Sequence, residues 1–130
     1  MTSTPIIPPD FESYYQNWHM SPGLESNGFI FLSGFTGART DGSLSVVPGE
    51  QIREAFQTLG KVSEHASAGY DSIVEMTSYH VGLHNHIMLF RTIKDEFIVE
   101  PYPAWTAIEV AGFALDGAIV ELRMIAQRAT

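Results

Sequence analysis

The hydrophobic pattern changes its period several times along this chain, and these changes restrict the fold more than any other feature. Residues 27–34 (NGFIFLSG) form an apolar run bounded by glycines, which is typical of a buried strand. From Pro48 the apolar residues recur at intervals of three and four, at Ile52, Ala55, Phe56, Leu59, Val62 and Ala66. That spacing puts them on one face and predicts a helix, for which Gly69 is a plausible stop.

The second half of the chain repeats the change of period. Residues 72–81 are rich in β-branched and aromatic side chains and predict a strand. Phe90, Ile93 and Phe97 share one face of a second helix that is expected to begin near residue 86. Residues 104–111 and 118–126 are strand-like and flank a short loop, so they predict a β-hairpin. The resulting order predicts an α+β fold, a two-layer sandwich of one mixed sheet with both helices on one face.

Alternation within the predicted hairpin separates two faces of the sheet. Thr106, Ile108 and Val110 are expected to face the helices, which leaves Trp105, Glu109, Glu121 and Arg123 on the other face. If the register pairs Glu109 with Glu121, the two carboxylates repel, and their pKa values move apart as in an acid–base pair. The alternative is that both are solvated, or that one forms a structural ion pair. An uncovered face that mixes Trp, Ile and Ala with charge also predicts a subunit interface.

Length, charge and composition exclude several classes of protein. A chain of 130 residues fits one domain, 1–130, in which residues 1–10 carry three prolines and are expected to be a loosely held lead-in. The net charge of −8 would repel a phosphate backbone, so we expect no nucleic-acid partner. There is no cysteine, no secretory signal and no apolar stretch approaching the roughly 20 residues of a membrane span. We therefore expect a cytoplasmic protein with no membrane partner.

Some polar residues are candidates for chemistry on their type and position alone. His80 lies in a predicted strand and could carry a proton near neutral pH, although a lone strand histidine is more often structural. His84 and His86 lie nearby, but no metal-ligand spacing is recognisable, and we expect no metal and no cofactor. Ser33 and Gly34 end a buried strand, where they could hold an anionic oxygen or form an ordinary turn.

Five short motifs arrive in an order that resembles the RidA/YjgF/UK114 family, which has been labelled both reactive intermediate deaminase and endoribonuclease L-PSP. They are GFIFLSG, EQIREAFQTLGKV, AGYDSIVEMTSYHV, PYPAWTAIEV and VELRMIA, and the resemblance covers about residues 18–127. It implies a chorismate-mutase-like fold and a homotrimer whose sheets line a central barrel. It also implies three ligand sites in the clefts between subunits, with a small molecule and a second copy of the chain as partners.

The resemblance implies roles for individual residues. Glu121 matches a glutamate that positions or activates water, and Ser33 with Gly34 matches the Ser-Gly of the site. Thr106 matches the hydroxyl residue that follows the substrate-binding arginine of active deaminases. Three family positions carry other residues here: Trp105 at the arginine, Phe90 at an asparagine, and about Met20, beside Trp18 and His19, at an N-terminal tyrosine.

Trp105 is the departure that matters most for function. A tryptophan cannot form the fork of charge-assisted hydrogen bonds that arginine gives a carboxylate. PYPAWTA and Thr77-Ser78-Tyr79-His80 look like the YjgH-like branch of the family. The resemblance therefore implies a hydrolase for an imine, an enamine or a related compound other than the usual amino-acid-derived acids. In that hypothesis Trp105 stacks on the substrate, Glu121 directs water, and Ser33, Gly34 and His80 hold an oxygen.

Two further hypotheses remain open. The chain could be a non-catalytic trimer that binds or senses a small molecule, with Trp105 as an aromatic anchor and Glu121 as a remnant of the family site. RNA cleavage, as in the older label, is the weakest of the three, because the chain is acidic and has no basic stripe.

Overall fold

A computed structural model describes residues 2–129. The strands are β1 (Thr4–Ile6), β2 (Gly23–Ser26), β3 (Phe29–Leu32), β4 (Phe35–Thr36), β5 (Ile73–His80), β6 (Ala104–Glu109) and β7 (Val120–Gln127). The helices are α1 (Glu12–Trp18), α2 (Pro48–His65) and α3 (Leu83–Phe97), with short 3₁₀ turns at Pro9–Phe11 and Tyr70–Ser72. None of the helices in residues 2–129 is long and apolar enough to cross a membrane.

All seven strands form one mixed sheet in the order β1-β2-β3-β7-β5-β6, and β4 also pairs with β7. β5 and β6 run parallel, and every other pair is antiparallel. The predicted α+β class with a mixed sheet is therefore confirmed. Residues 2–129 contain three α-helices rather than the two predicted.

The apolar stripe of α2 is the centre of the core. Ile52, Ala55, Phe56, Leu59 and Val62 are completely buried, as their three-and-four spacing predicts. Helix α3 adds Phe90 and Ile93 to the same core, and the Phe56 and Phe90 rings lie 5.7 Å apart between their centroids. These contacts hold both long helices in one layer against the sheet.

The N-terminal segment differs from the predicted lead-in. Thr4–Ile6 pairs with β2 as an edge strand, and the side chains of Ile6 and Phe11 are buried in the main core. Edge strands tolerate proline because one row of N–H groups needs no partner in the sheet, so Pro5 does not prevent pairing. Helix α1, which the hydrophobic pattern did not indicate, follows directly.

The predicted hairpin between the last two strands is wrong. β5 lies between β6 and β7, with Met76 paired to Trp105 on one side and to Met124 on the other. Paired residues share a face, so Trp105 lies with the buried Met76 on the helix side of the sheet. The predicted assignment of Thr106 and Ile108 to that side is wrong as well.

The two carboxylates that the hairpin was expected to pair lie on opposite faces. Glu109 pairs with His80 on the helix side, and its Oε1 accepts a hydrogen bond from the Leu83 N–H at 3.1 Å. Glu121 pairs with Tyr79 on the other side. No repulsive carboxylate pair exists between these residues. The expected placement of Glu121 and Arg123 away from the helices is correct, because the buried Val120, Leu122 and Met124 occupy the helix side.

Candidate functional site

A cleft with a volume of about 520 Å³ lies where α1, β4 and α2 meet. Its wall includes Glu121 and Gly34, with Phe35 and Thr36 of β4 beside them. The loop after β6 closes another side with Phe113 and neighbouring residues. A cavity of this size can hold a small organic molecule.

Glu121 lies against the backbone of Gly34. A Cβ atom at residue 34 would lie 2.6 Å from Glu121 Oε2 and 2.9 Å from its Cδ, closer than atoms in contact can lie. Glycine is therefore required at 34 for the carboxylate to take this position. Burial raises the pKa of the Glu121 carboxyl above its ordinary value, because the charged form loses hydration.

An irregularity in the sheet produces this arrangement. Phe31 pairs with Ile125 and Phe35 pairs with Leu122, so four residue steps on one strand (31 to 35) oppose three on the other (125 to 122). The extra residue, at Ser33-Gly34, acts as a bulge and redirects the chain from β3 into β4. Ser33 Oγ donates a hydrogen bond to the Ser21 carbonyl oxygen at 2.6 Å, which holds this bend.

Aromatic side chains form the apolar wall of the cleft. The Tyr14 and Phe35 rings meet edge to face at 5.4 Å between their centroids, and Phe11 meets Phe35 at 5.6 Å. Of the predicted N-terminal residues, Trp18 and Met20 line the cleft. His19 ends α1 in a left-handed conformation, is exposed, and is not part of the lining.

The opposite wall is polar, and the sequence analysis did not find it. Four α2 residues at helical spacing line the cleft, namely Glu54, Gln57, Thr58 and Lys61. Arg39 donates two hydrogen bonds to the Glu54 carboxylate, from Nε and Nη2, each at 2.9 Å. These two guanidinium donors are therefore already paired within the protein. The signal in the sequence was the polar stripe of α2, which has the same three-and-four spacing as the apolar stripe.

Trp105 belongs to a second cluster, on the face of the sheet opposite to Glu121. Its indole Nε1 donates to Ser78 Oγ at 2.8 Å, and Ser78 Oγ lies 2.7 Å from His80 Nε2. His80 Nδ1 in turn lies 3.3 Å from His86 Nε2. Phe90, which the family resemblance placed in the site, packs against both Trp105 and His80. Trp105 is thus in part a core residue, which the sequence analysis did not expect.

The histidines of this cluster are neutral at ordinary pH. Burial, with a smaller contribution from His86, lowers the pKa of His80 to about 4. Burial also lowers the pKa of His86, against an opposing effect of the Glu109 charge. Within residues 2–129 no group of three or more His, Asp or Glu side chains is arranged to hold a metal ion.

One subunit alone therefore divides the predicted site residues between two places. Glu121, Gly34, Trp18 and Met20 share the cleft, with Ser33 at the bend beside it. The other predicted residues lie elsewhere: His80, Phe90 and Trp105 in the second cluster, and Thr106 exposed on the face away from the helices. Glu121 and Trp105 can meet in one site only if they come from different subunits.

The chain is similar throughout its length to known proteins. The sequence profile described as Endoribonuclease L-PSP matches residues 14–128. The RutC family protein YjgH of Escherichia coli K12 is 33% identical over 125 residues, which cover 95% of this chain and 94% of that protein. A solved structure of protein YjgH superposes with a TM-score of 0.88 at 31% identity, covering 100% of this chain and 99% of that one.

More distant structures share the fold. RidA from the Antarctic bacterium Psychrobacter sp. PAMC 21119 superposes with a TM-score of 0.78 at 21% identity, over 83% of this chain and 87% of that one. E. coli TdcF with bound serine superposes with a TM-score of 0.77 at 20% identity, over 85% and 88%. Together with the profile match and the identity to YjgH, these findings show that the chain belongs to the RidA/YjgF family, described as endoribonuclease L-PSP.

Proposed function

We propose that this protein hydrolyses an imine, an enamine or a related compound other than the usual amino-acid-derived acids, in the cleft around Glu121. The observation that carries the proposal is the half-buried Glu121 carboxylate, which lies against Gly34 in a cleft with aromatic walls. A carboxylate whose pKa burial has raised is a better base near neutral pH than an exposed one.

The proposed reaction needs only water and a positioned base. Glu121 takes a proton from water as the oxygen attacks the imine carbon, and the imine nitrogen gains a proton. The resulting carbinolamine then loses ammonia as its C–N bond breaks and the C=O bond forms. One imine and one water give one carbonyl compound and one ammonia.

The residues around the cleft support a substrate without a carboxylate. The family arginine position is Trp105, and Arg39, which does line the cleft, already gives its fork to Glu54. The charged lining residues are three carboxylates, Asp10, Glu54 and Glu121, and two cations, Arg39 and Lys61, so the cleft has no net positive charge to attract an anion. The rings of Phe11, Tyr14 and Phe35 offer surface for an apolar or aromatic group.

A second copy of the chain completes the site in this proposal. The family implies a homotrimer, and the face of the sheet away from the helices is uncovered and mixes apolar side chains with polar and charged ones. We call this face the open face; its apolar side chains are Phe29, Phe31, Tyr79, Ile108 and Ile125. Strand β6 lies at the edge of the sheet, so packing of open faces would place this edge of a neighbouring subunit, which carries Trp105 and Thr106, near the Glu121 cleft, in accordance with the family's inter-subunit sites.

The test measures ammonia release from a panel of non-acidic imines generated in solution, with 2-aminoacrylate as the acidic comparison. We expect turnover of at least one non-acidic imine and little turnover of the acid. Glu121→Gln should lower the rate by roughly 100-fold or more, the usual contribution of a general base. Glu64→Gln is the matched control, since Glu64 is an exposed carboxylate of α2 outside the cleft. No turnover of any non-acidic imine would contradict the proposal.

The second candidate is a non-catalytic small-molecule-binding trimer. It is favoured by the departure at Trp105 and by the solved structure of the related fold of E. coli TdcF with bound serine. Saturable quenching of tryptophan fluorescence by an imine, with the compound recovered unchanged, would support binding alone. RNA cleavage stays the weakest candidate, because the net charge of −8 opposes a polyanion.

A further inference from the structure

Ser78, His80 and His86 form a line of polar groups that ends on the indole of Trp105. The three links measure 2.8 Å (Trp105 Nε1 to Ser78 Oγ), 2.7 Å (Ser78 Oγ to His80 Nε2) and 3.3 Å (His80 Nδ1 to His86 Nε2). Ser78 and His80 are completely buried, whereas His86 is half-buried at the start of α3. The line therefore runs from the edge of the core to the indole.

The donors and acceptors along the line allow one consistent assignment. The Trp105 N–H can only donate, so Ser78 Oγ accepts it. The Ser78 hydroxyl then donates to His80 Nε2, and neutral His80 donates from Nδ1 to His86 Nε2. In the reverse direction the Ser78 hydroxyl would have no acceptor among the contacts of the described residues, and a buried unsatisfied hydroxyl is costly.

Contacts on the ring of Trp105 complement the bond at its nitrogen. The Phe90 ring lies 5.7 Å from the indole at an angle of 31°, and the Lys94 ammonium lies 5.2 Å from the ring centroid. Both residues belong to α3, one helical turn apart. The nitrogen end and the helix-facing surface of the indole are thus held, while the residue keeps part of its surface in solvent.

We propose that Ser78 and His80 are positioning residues for Trp105, and that His86 makes the orientation of the indole depend on the protonation of the histidine pair. A proton on His80 Nε2 would place two N–H donors on Ser78 and leave its hydroxyl without an acceptor. A proton on His86 Nε2 would remove the acceptor of His80 Nδ1. Either event breaks the line.

The surroundings of the pair favour its neutral form. From β6, Glu109 faces His80 and favours charge on His86, and from α3 the Lys94 ammonium lies at the far end over Trp105. From β7 the paired residue is the apolar Val120, and Phe90 covers the His80 ring. Burial outweighs the Glu109 charge, so the line is complete at neutral pH and is lost as the pH falls.

The indole N–H signal of Trp105 in a two-dimensional N–H correlation spectrum tests the positioning directly. The chain has two tryptophans, so Trp105→Phe assigns the signal. We expect a downfield signal whose exchange with water is slow at about pH 7, and which moves upfield as the pH is lowered to about 4, the pKa of His80. Ser78→Ala should move it upfield at every pH and speed its exchange by roughly tenfold. Ser63→Ala, at an equally buried serine of α2, is the control.

Substitution of the histidine separates positioning from packing. His80→Gln keeps an acceptor for Ser78 but does not titrate, so the signal should stay downfield while its pH response becomes smaller than in the wild type. A Ser78→Ala signal that matches the wild type, or a full pH response in folded His80→Gln, would overturn the proposal. Only the effect of the indole orientation on substrate binding rests on the proposed function. Because these measurements need no ligand, failure here and failure of turnover are distinguishable.

Discussion

Glu121 and Gly34 depend on each other, since the carboxylate can lie against the backbone only where residue 34 has no side chain. The same contact removes water from the carboxylate and raises its pKa. At the residue scale, a glycine therefore sets the chemical character of a glutamate that is distant in the sequence. The predicted role of both residues can be examined without knowledge of the substrate.

Gly34→Ala should displace the Glu121 side chain toward solvent. The new methyl group would occupy the position of the carboxylate, whose flexible end can move, so the fold should persist. We expect the Glu121 pKa to fall toward its ordinary value, measured by NMR titration of the side-chain carboxyl carbon. Gly112→Ala is the matched control, because a Cβ there would meet no atom within 4 Å. An unchanged Glu121 titration in Gly34→Ala would contradict this account.

Glu121→Gln should stabilise the protein at neutral and higher pH. The pKa of the Glu121 carboxyl is raised in the folded protein. The stability that this carboxyl contributes is therefore present below the ordinary carboxyl pKa and is lost as the pH rises through its pKa in the folded protein. Urea unfolding at about pH 8 should show a gain of roughly 0.5 kcal/mol, a figure reduced for a carboxylate that is only half buried. At about pH 4 the two proteins should agree. A loss of stability at the higher pH would show that the charge is favourable in the folded protein.

At the element scale, the N-terminal strand shows where local sequence signals were insufficient. Three prolines within residues 1–10 predicted a loose segment, because proline disfavours helices and central strands. β1 is an edge strand, and its Ile6 is buried against the core. Its residues pair with β2 residues that lie 17 to 21 positions later in the chain, from Ile6 with Gly23 to Thr4 with Glu25. A local sequence pattern does not contain such a partner.

Ile6→Ala tests whether β1 is part of the folded core. A large-to-small change at this buried position should cost about 2–4 kcal/mol in the free energy of unfolding, measured by urea denaturation. Val46→Ala is the control, because Val46 is 94% exposed and should change stability by less than about 0.5 kcal/mol. A negligible cost for Ile6→Ala would support the original expectation of a loosely held segment.

For the whole molecule, the open face of the sheet is the feature that a single subunit leaves unexplained. Phe29 and Phe31 are each 37% exposed and Ile108 is 42% exposed, on the side of the sheet opposite to the buried Met76 and Leu122. Apolar side chains on an otherwise acidic surface favour association with a like surface. The homotrimer proposed above would bury them.

Phe31→Glu should therefore weaken self-association. A carboxylate in the middle of a packed apolar interface is strongly disfavoured, and three copies would repel one another. We expect the molar mass from light scattering after size-exclusion chromatography to fall from that of a trimer toward 14.4 kDa, the mass of one chain. Val46→Glu introduces the same charge at an exposed loop and should leave the mass unchanged. An unchanged trimer in Phe31→Glu would place the interface elsewhere.

The sequence by itself determined the α+β class, the buried stripe of α2 and the buried side of β7, because these follow from periods of 3.6 and two within one element. The family motifs likewise identified Glu121 and Gly34, which the cleft contains. Only the tertiary structure decided the partner of β6 and therefore the face of Trp105. The alternation of β6 separates its side chains into two sets, but both contain apolar residues, so it does not show which set is buried. Parallel pairing with β5 and packing against α3 place Trp105 on the helix side, away from Glu121, and these are long-range contacts that no local period encodes.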